Sequence, residues 1–129
     1  MTRTIGWGAA LAASLVWASS GAHAGEAVYD KPAFEHALAQ GRATVVAFVT
    51  DWCTTCTVQQ PVLAELLGEP RFRHLTVFIA DFDKDVELKK RLRVPQQSTL
   101  VVFKNGREVA RGTGQTRKEE LAALLSKAL

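Results

Sequence analysis

The chain holds two cysteines, Cys53 and Cys56, within the segment Trp52-Cys53-Thr54-Thr55-Cys56. At this spacing both sulfurs fall within one helical turn and can close a small ring. The first can also sit over the unpaired backbone N–H groups at a helix start. The apolar run Ala43-Thr44-Val45-Val46-Ala47-Phe48-Val49 comes just before the pair. It reads as a buried strand, and the residues after Cys56 read as a helix. A thiol pair at a strand-to-helix junction is the layout of a dithiol/disulfide redox site. So short a loop would staple a fold poorly, which favours a chemical role over a structural one.

The elements around the pair set its context. Ile5 to Trp17 is almost wholly apolar, follows Arg3, and leads to Ala22-His23-Ala24. This pattern predicts a secretory signal peptide over residues 1–24, cut after Ala24, and a domain over 25–129. The apolar stretch falls short of the roughly 20 residues a spanning helix needs, so a retained membrane anchor is the lesser expectation. Export implies a disulfide-permissive compartment, the periplasm. No second apolar span follows, and a soluble domain is expected. The formal net charge is +3. No basic stripe or cluster of stacking aromatics accompanies it, so nucleic acid is not an expected partner.

Ala27-Val28-Tyr29 suggests a short edge strand. Asp30 is a candidate N-cap for a helix with Phe34, Ala37 and Leu38 inward, ended by Gly41. A second helix is expected over Cys53–Leu67, with Val58, Val62, Leu63, Leu66 and Leu67 facing the core and Pro61 kinking it. Further strands are expected at Leu75–Ala80, Thr99–Phe103 and Glu108–Arg111, the last two joined by a tight Asn105-Gly106 turn. A short helix is expected over Val86–Leu92. Gly112-Thr113-Gly114 reads as a loop, and Thr116 with Glu119 as a capping box before a final helix carrying Leu121, Leu124 and Leu125. The order predicts an α/β fold: a central mixed sheet of four to five strands with helices on both faces.

With these elements the chain resembles the thioredoxin superfamily, from about Val45 to the C-terminus. The resemblance rests on Trp52-Cys53-Thr54-Thr55-Cys56 after an apolar strand, and on Pro61 five residues past Cys56. Thr99-Leu100-Val101-Val102-Phe103-Lys104-Asn105-Gly106 and Gly114 complete it. Three positions depart from the pattern. The superfamily's cis-proline is Ser98 here, its buried aspartate is Ala47, and that acid's lysine partner falls at about Ile79. A trans bond is expected before Ser98, because a cis bond costs ~3 kcal/mol outside proline.

The resemblance implies an enzyme, a thiol–disulfide oxidoreductase working by dithiol–disulfide exchange on protein thiols and disulfides. Cys53 is the expected nucleophile, the more exposed of the pair, and Cys56 the resolving thiol. No cofactor beyond the Cys53–Cys56 disulfide is expected. Thr54, Thr55, Ser98 and Thr99 are expected to support the pair. The threonines of the dipeptide either cap the helix and donate to a thiolate or are ordinary first-turn residues. Trp52 either shields the disulfide and meets substrates or is a packed aromatic. Asp51 reads as a solvated acid and the nearest candidate proton carrier. Asp81, Asp83 and Asp85 read as a solvated acidic run, and His36 and His74 as surface residues. The implied role is that of a monomeric reductase or reductant carrier, drawing electrons from an integral-membrane thiol transporter. The alternative is a periplasmic module binding copper or zinc through the same cysteines, with Ser98 opening space beside them.

Overall fold

The computed structural model describes residues 25–129, so the expected signal peptide and its cleavage site lie outside the described residues. The chain runs through β1 (Gly25–Val28), α1 (Lys31–Ala39), β2 (Thr44–Val49) and α2 (Thr54–Leu67). It continues through a single 3-10 turn (Pro70–Phe72), β3 (Thr76–Asp81), α3 (Val86–Arg91), β4 (Thr99–Lys104), β5 (Arg107–Thr113) and α4 (Lys118–Ser126). The five strands form one mixed sheet in the order β1-β3-β2-β4-β5. β3 lies parallel to both β1 and β2, whereas β4 runs antiparallel to β2 and β5. The expected α/β architecture is therefore present with five strands. Among the described residues, no helix is long and apolar enough to cross a membrane.

β2 is central because its side chains are apolar on both faces. Val45 and Ala47 point into one layer with Leu63, Leu66 and Leu67 of α2 and Leu121 and Leu125 of α4. Val46 and Phe48 point into the other with Phe34 of α1 and Leu88 of α3. This period-2 alternation between two covered faces is what a nearly unbroken apolar strand requires. In the second layer Phe34 meets Tyr29, Phe78 and Phe103 edge-on, with ring centroids 5.6–5.8 Å apart. Such contacts favour one arrangement of the rings over others.

Local signals account for most element ends. Asp30 Oδ2 accepts the Ala33 N–H at 2.9 Å and caps α1. Asn105 and Gly106 both have positive φ, 53° and 76°, as a two-residue hairpin turn demands. Phe72, between Arg71 and Arg73, is fully buried. Three expectations need correction. Val58 is 56% exposed, and Gln59 takes the inward position beside it. Gly112 and Thr113 belong to β5, since Leu100 and Thr99 of β4 pair with them. Thr116 does not cap α4, which starts after Arg117 without a side-chain cap bond.

Candidate active site

The cysteine pair sits where β2 hands over to α2. Cys53 has extended backbone (φ −86°, ψ 104°) and serves as the N-cap of α2. Its Sγ accepts the Cys56 N–H at 3.1 Å, so the sulfur takes the place usually held by a capping oxygen. One of the orphan donors at the helix start is thereby aimed at Cys53, together with the positive end of the helix dipole. Cys53 and Cys56 form a disulfide, with their Cα atoms 5.3 Å apart. Both are 3% exposed, so the expected greater exposure of Cys53 is absent in the oxidised state. Thr57 Oγ1 donates to Cys53 O at 3.2 Å and ties the first turn together. Thr54 is exposed and Thr55 half-buried. Pro61 lies inside α2 on its exposed side, and its missing N–H leaves Thr57 O without its usual helical donor.

Ser98 lies directly against the pair. Its Oγ is 3.0 Å from Cys53 Sγ and 3.2 Å from Cys56 Sγ. No peptide bond among the described residues is cis, so the Gln97–Ser98 bond is trans as expected. The residue instead takes a left-handed backbone, φ 60°. Its N–H donates to Phe48 O at 2.8 Å, and its carbonyl accepts from Gly114 N at 3.0 Å and Gln59 Nε2 at 3.2 Å. Thr99 Oγ1 donates to Gln96 O at 2.8 Å and lies 2.8 Å from Thr113 Oγ1, fixing the start of β4.

Gln59 is the residue that sequence reasoning missed. It is fully buried, and its Nε2 also donates to Gln115 O at 2.9 Å. One amide group thus joins α2 to the two loops flanking the disulfide. The signal was available: Cys56, Gln59, Leu63 and Leu66 follow the three-then-four spacing of a helix face. The apolar Val58 lies one position off that stripe.

The rim is acidic and aromatic. Trp52 is 62% exposed, so the packed-aromatic reading does not hold. Its Nε1–H donates to Asp83 Oδ2 at 2.8 Å, which holds the indole beside Cys53. The other two acids of that run shape the turn after β3. Asp81 Oδ1 accepts from the N–H groups of Asp83 and Lys84, and Asp85 Oδ2 accepts the Asp81 N–H at 2.7 Å. They are therefore turn acceptors rather than merely solvated. Asp51, His36 and His74 are exposed.

On the sheet face that α2 covers, Ala47 pairs with Ile79 of β3 and Leu100 of β4. No acid or base interrupts that row. The metal-binding alternative is not favoured: among the described residues, no three His, Cys, Asp or Glu side chains are grouped so as to hold an ion. The donor set beside the sulfurs is one serine hydroxyl, poorly matched to soft-metal ligation.

Residues 26–127 match the protein-family model described as Thioredoxin. The thioredoxin of Chlamydia trachomatis is 33% identical over 94 residues, spanning 73% of this chain and 89% of that protein. The thioredoxin of Mycobacterium tuberculosis is 35% identical over 89 residues, spanning 69% and 76%. Among solved structures, Trxlp from Edwardsiella tarda matches with a TM-score of 0.76 and 37% identity, over 78% of this chain and 98% of that one. Thioredoxin from Trypanosoma brucei brucei, 19% identical, shares the fold with a TM-score of 0.68 over 84% and 93%.

Proposed function

This chain belongs to the thioredoxin family and is a thiol–disulfide oxidoreductase acting on protein thiols and disulfides, and from that premise we propose that it serves as an exported disulfide reductase or reductant carrier with Cys53 as nucleophile and Cys56 as resolving thiol. The observation that carries the assignment is the Cys56 N–H donated to Cys53 Sγ at the start of α2. A donor and a helix N-terminus aimed at one sulfur favour its thiolate and lower its pKa below the free value of ~8.5. Cys56 is one turn further into the helix and lacks that placement.

In the reducing direction the Cys53 thiolate attacks a substrate disulfide. A Cys53–substrate bond forms, the substrate S–S bond breaks, and the leaving sulfur takes the electron pair and then a proton from water. Cys56 loses its proton and attacks Cys53 Sγ. The second substrate sulfur leaves, and the protein holds the Cys53–Cys56 disulfide, two electrons poorer. Trp52, exposed and held by Asp83, offers substrates an apolar surface beside the reacting sulfur. Thr54, Thr55 and Thr99 support the pair by shaping the first turn of α2 and the start of β4. The cycle needs no cofactor besides the cysteine pair.

Export to the periplasm is supported by the basic, apolar and Ala22-His23-Ala24 segments of residues 1–24. In that compartment an integral-membrane thiol transporter is the source of electrons that best fits, and the domain works as a monomer. The test is capture of partners in the native host with Cys56→Ser, which stalls exchange at the mixed disulfide. Protein partners bonded to Cys53 are expected. If Cys53 captures none, the assignment fails. The N-terminus of the protein recovered from the periplasm should be Gly25, and recovery only from the cytoplasm would remove the exported role.

A further inference from the structure

Ser98 is a buried hydroxyl, 4% exposed, whose hydrogen-bond partners among the described residues are the two sulfurs of the disulfide. Sulfur in a disulfide is a weak acceptor, whereas a thiolate accepts a charge-assisted hydrogen bond. The O–H is therefore poorly used in the oxidised state and well used once a sulfur carries charge. A left-handed conformation is uncommon for a residue with a Cβ and persists where its surroundings over-determine it. At Ser98 three hydrogen bonds do so, from its N–H to Phe48 O and to its carbonyl from Gly114 and Gln59.

The two sulfurs differ in what else can help them. Cys53 Sγ has the Cys56 N–H. Cys56 Sγ has a backbone carbonyl, Phe48 O, at 4.0 Å, an acceptor that cannot stabilise negative charge. Neither Ala47 nor Ile79 can supply a proton or a charge. Among the described residues, Ser98 is the one donor that both sulfurs share.

We propose that the Ser98 hydroxyl is a catalytic hydrogen-bond donor to both thiolates, turning from one sulfur to the other as charge passes between them. When an incoming thiolate attacks Cys53 Sγ, a new S–S bond forms there and the Cys53–Cys56 bond breaks. The electron pair leaves on Cys56 Sγ, where the Ser98 O–H meets it. In the reverse step the Cys56 thiolate re-forms the bond to Cys53, and the departing sulfur takes the pair and a proton from water. Ser98 itself neither gains nor loses a proton over the cycle. This rests on Cys53 and Cys56 as the exchanging pair.

The experiment compares wild type with Ser98→Ala and Ser98→Gly. Both variants remove the hydroxyl, and glycine also suits the left-handed backbone, so the second folds without the strain that alanine keeps. Each protein is equilibrated with a glutathione redox buffer, and thiolate ultraviolet absorbance is followed against pH. Both variants should shift the equilibrium about tenfold toward the disulfide, ~30 mV for this two-electron couple. Both should also move thiolate formation to higher pH. Wild-type behaviour in both variants, or a shift in alanine that glycine abolishes, overturns the proposal. A wild-type pair that does not exchange with glutathione overturns the functional assignment as well, and is told apart because the unmodified protein is then inert.

Discussion

On the sheet face covered by α2, Ile79, Ala47 and Leu100 stand side by side across three strands without a polar atom among their side chains. At the end of the same sheet, Ser98, Gln59 and Gln115 converge from a loop, a helix and a second loop through hydrogen bonds of 2.9–3.2 Å. Both regions border the segment that carries the cysteines, and they are opposite in character. Where the thioredoxin pattern carries an acid and its lysine partner within the sheet, this chain has Ala47 and Ile79, as the sequence indicates. In this chain that row is dry, and the polar groups near the sulfurs come from α2 and the loops beside it. A neutral hydroxyl and an amide can surround a redox pair without the desolvation that a buried carboxylate requires.

The strongest way to break this comparison is to put charge back into the dry row. Ala47→Asp should destabilise the protein by about 3 kcal/mol at neutral pH, because the carboxylate would be buried without a partner. Such burial raises the folded pKa above the unfolded one. The penalty is therefore full above the folded pKa and fades as pH falls through it. Urea unfolding across that range tests this, and a loss under 1 kcal/mol at neutral pH would show that the row is not dry. Adding Ile79→Lys should recover part of the loss.

Gln59→Leu attacks the polar side. It removes donors from the buried Ser98 O and the partly buried Gln115 O, leaving both carbonyls less well satisfied. A loss of about 2 kcal/mol is expected. The Gly114 amide should exchange faster with deuterium, and unchanged protection there would mean that Gln59 does not hold the loops. Asp83→Ala is milder, releasing only the exposed Trp52 indole at a loss of about 0.5–1 kcal/mol. Fluorescence anisotropy of Trp52 should fall, and a rigid indole in the variant would assign its placement to other contacts.

The smallest effect is the control far from either region. Arg91 donates to Glu35, which holds that carboxyl below its ordinary value of 4.5. The pair is exposed, so its contribution is within about 0.5 kcal/mol. A depressed folded pKa means stability present above 4.5 and lost as pH falls through the folded value. Glu35→Gln should flatten that acid limb slightly and leave activity unchanged. A larger effect would mean that surface charge contributes as much as the site's own polar groups.

The dry row was legible in the sequence and the polar loops were not, for a physical reason. Strand alternation, the Asn105-Gly106 turn and the Asp30 cap are local, so residue types within a few positions disclose them. Ala47 and Ile79 could be placed because both lie on regular strands with fixed spacing. Ser98 could be located by its distance from Thr99, and the trans bond before it argued from intrinsic energetics. Its left-handed backbone and contact with both sulfurs depend on Gln59 and Gly114, partners 39 and 16 positions away. Gln59 lies on the same helix face as Cys56, Leu63 and Leu66. Its burial follows from helix phase, but its role follows only from the carbonyls that meet it.

The two-residue turn at Asn105-Gly106 bears finally on how the molecule assembles. β4 and β5 are joined locally, and hairpins of this kind form within about 1–10 μs. The parallel partners β1, β3 and β2 need longer crossovers to close first and are intrinsically slower. The disulfide can also close early, since its cysteines are three positions apart. Ser98 cannot reach Cys53, 45 positions away, until β2 has docked beside the preformed hairpin. Pulsed hydrogen exchange during refolding should therefore protect β4–β5 amides before those of β1–β3, and simultaneous protection would contradict this order. Until that docking the pair reacts as an ordinary peptide dithiol, so a single strand pairing late in folding turns on its enzymatic character.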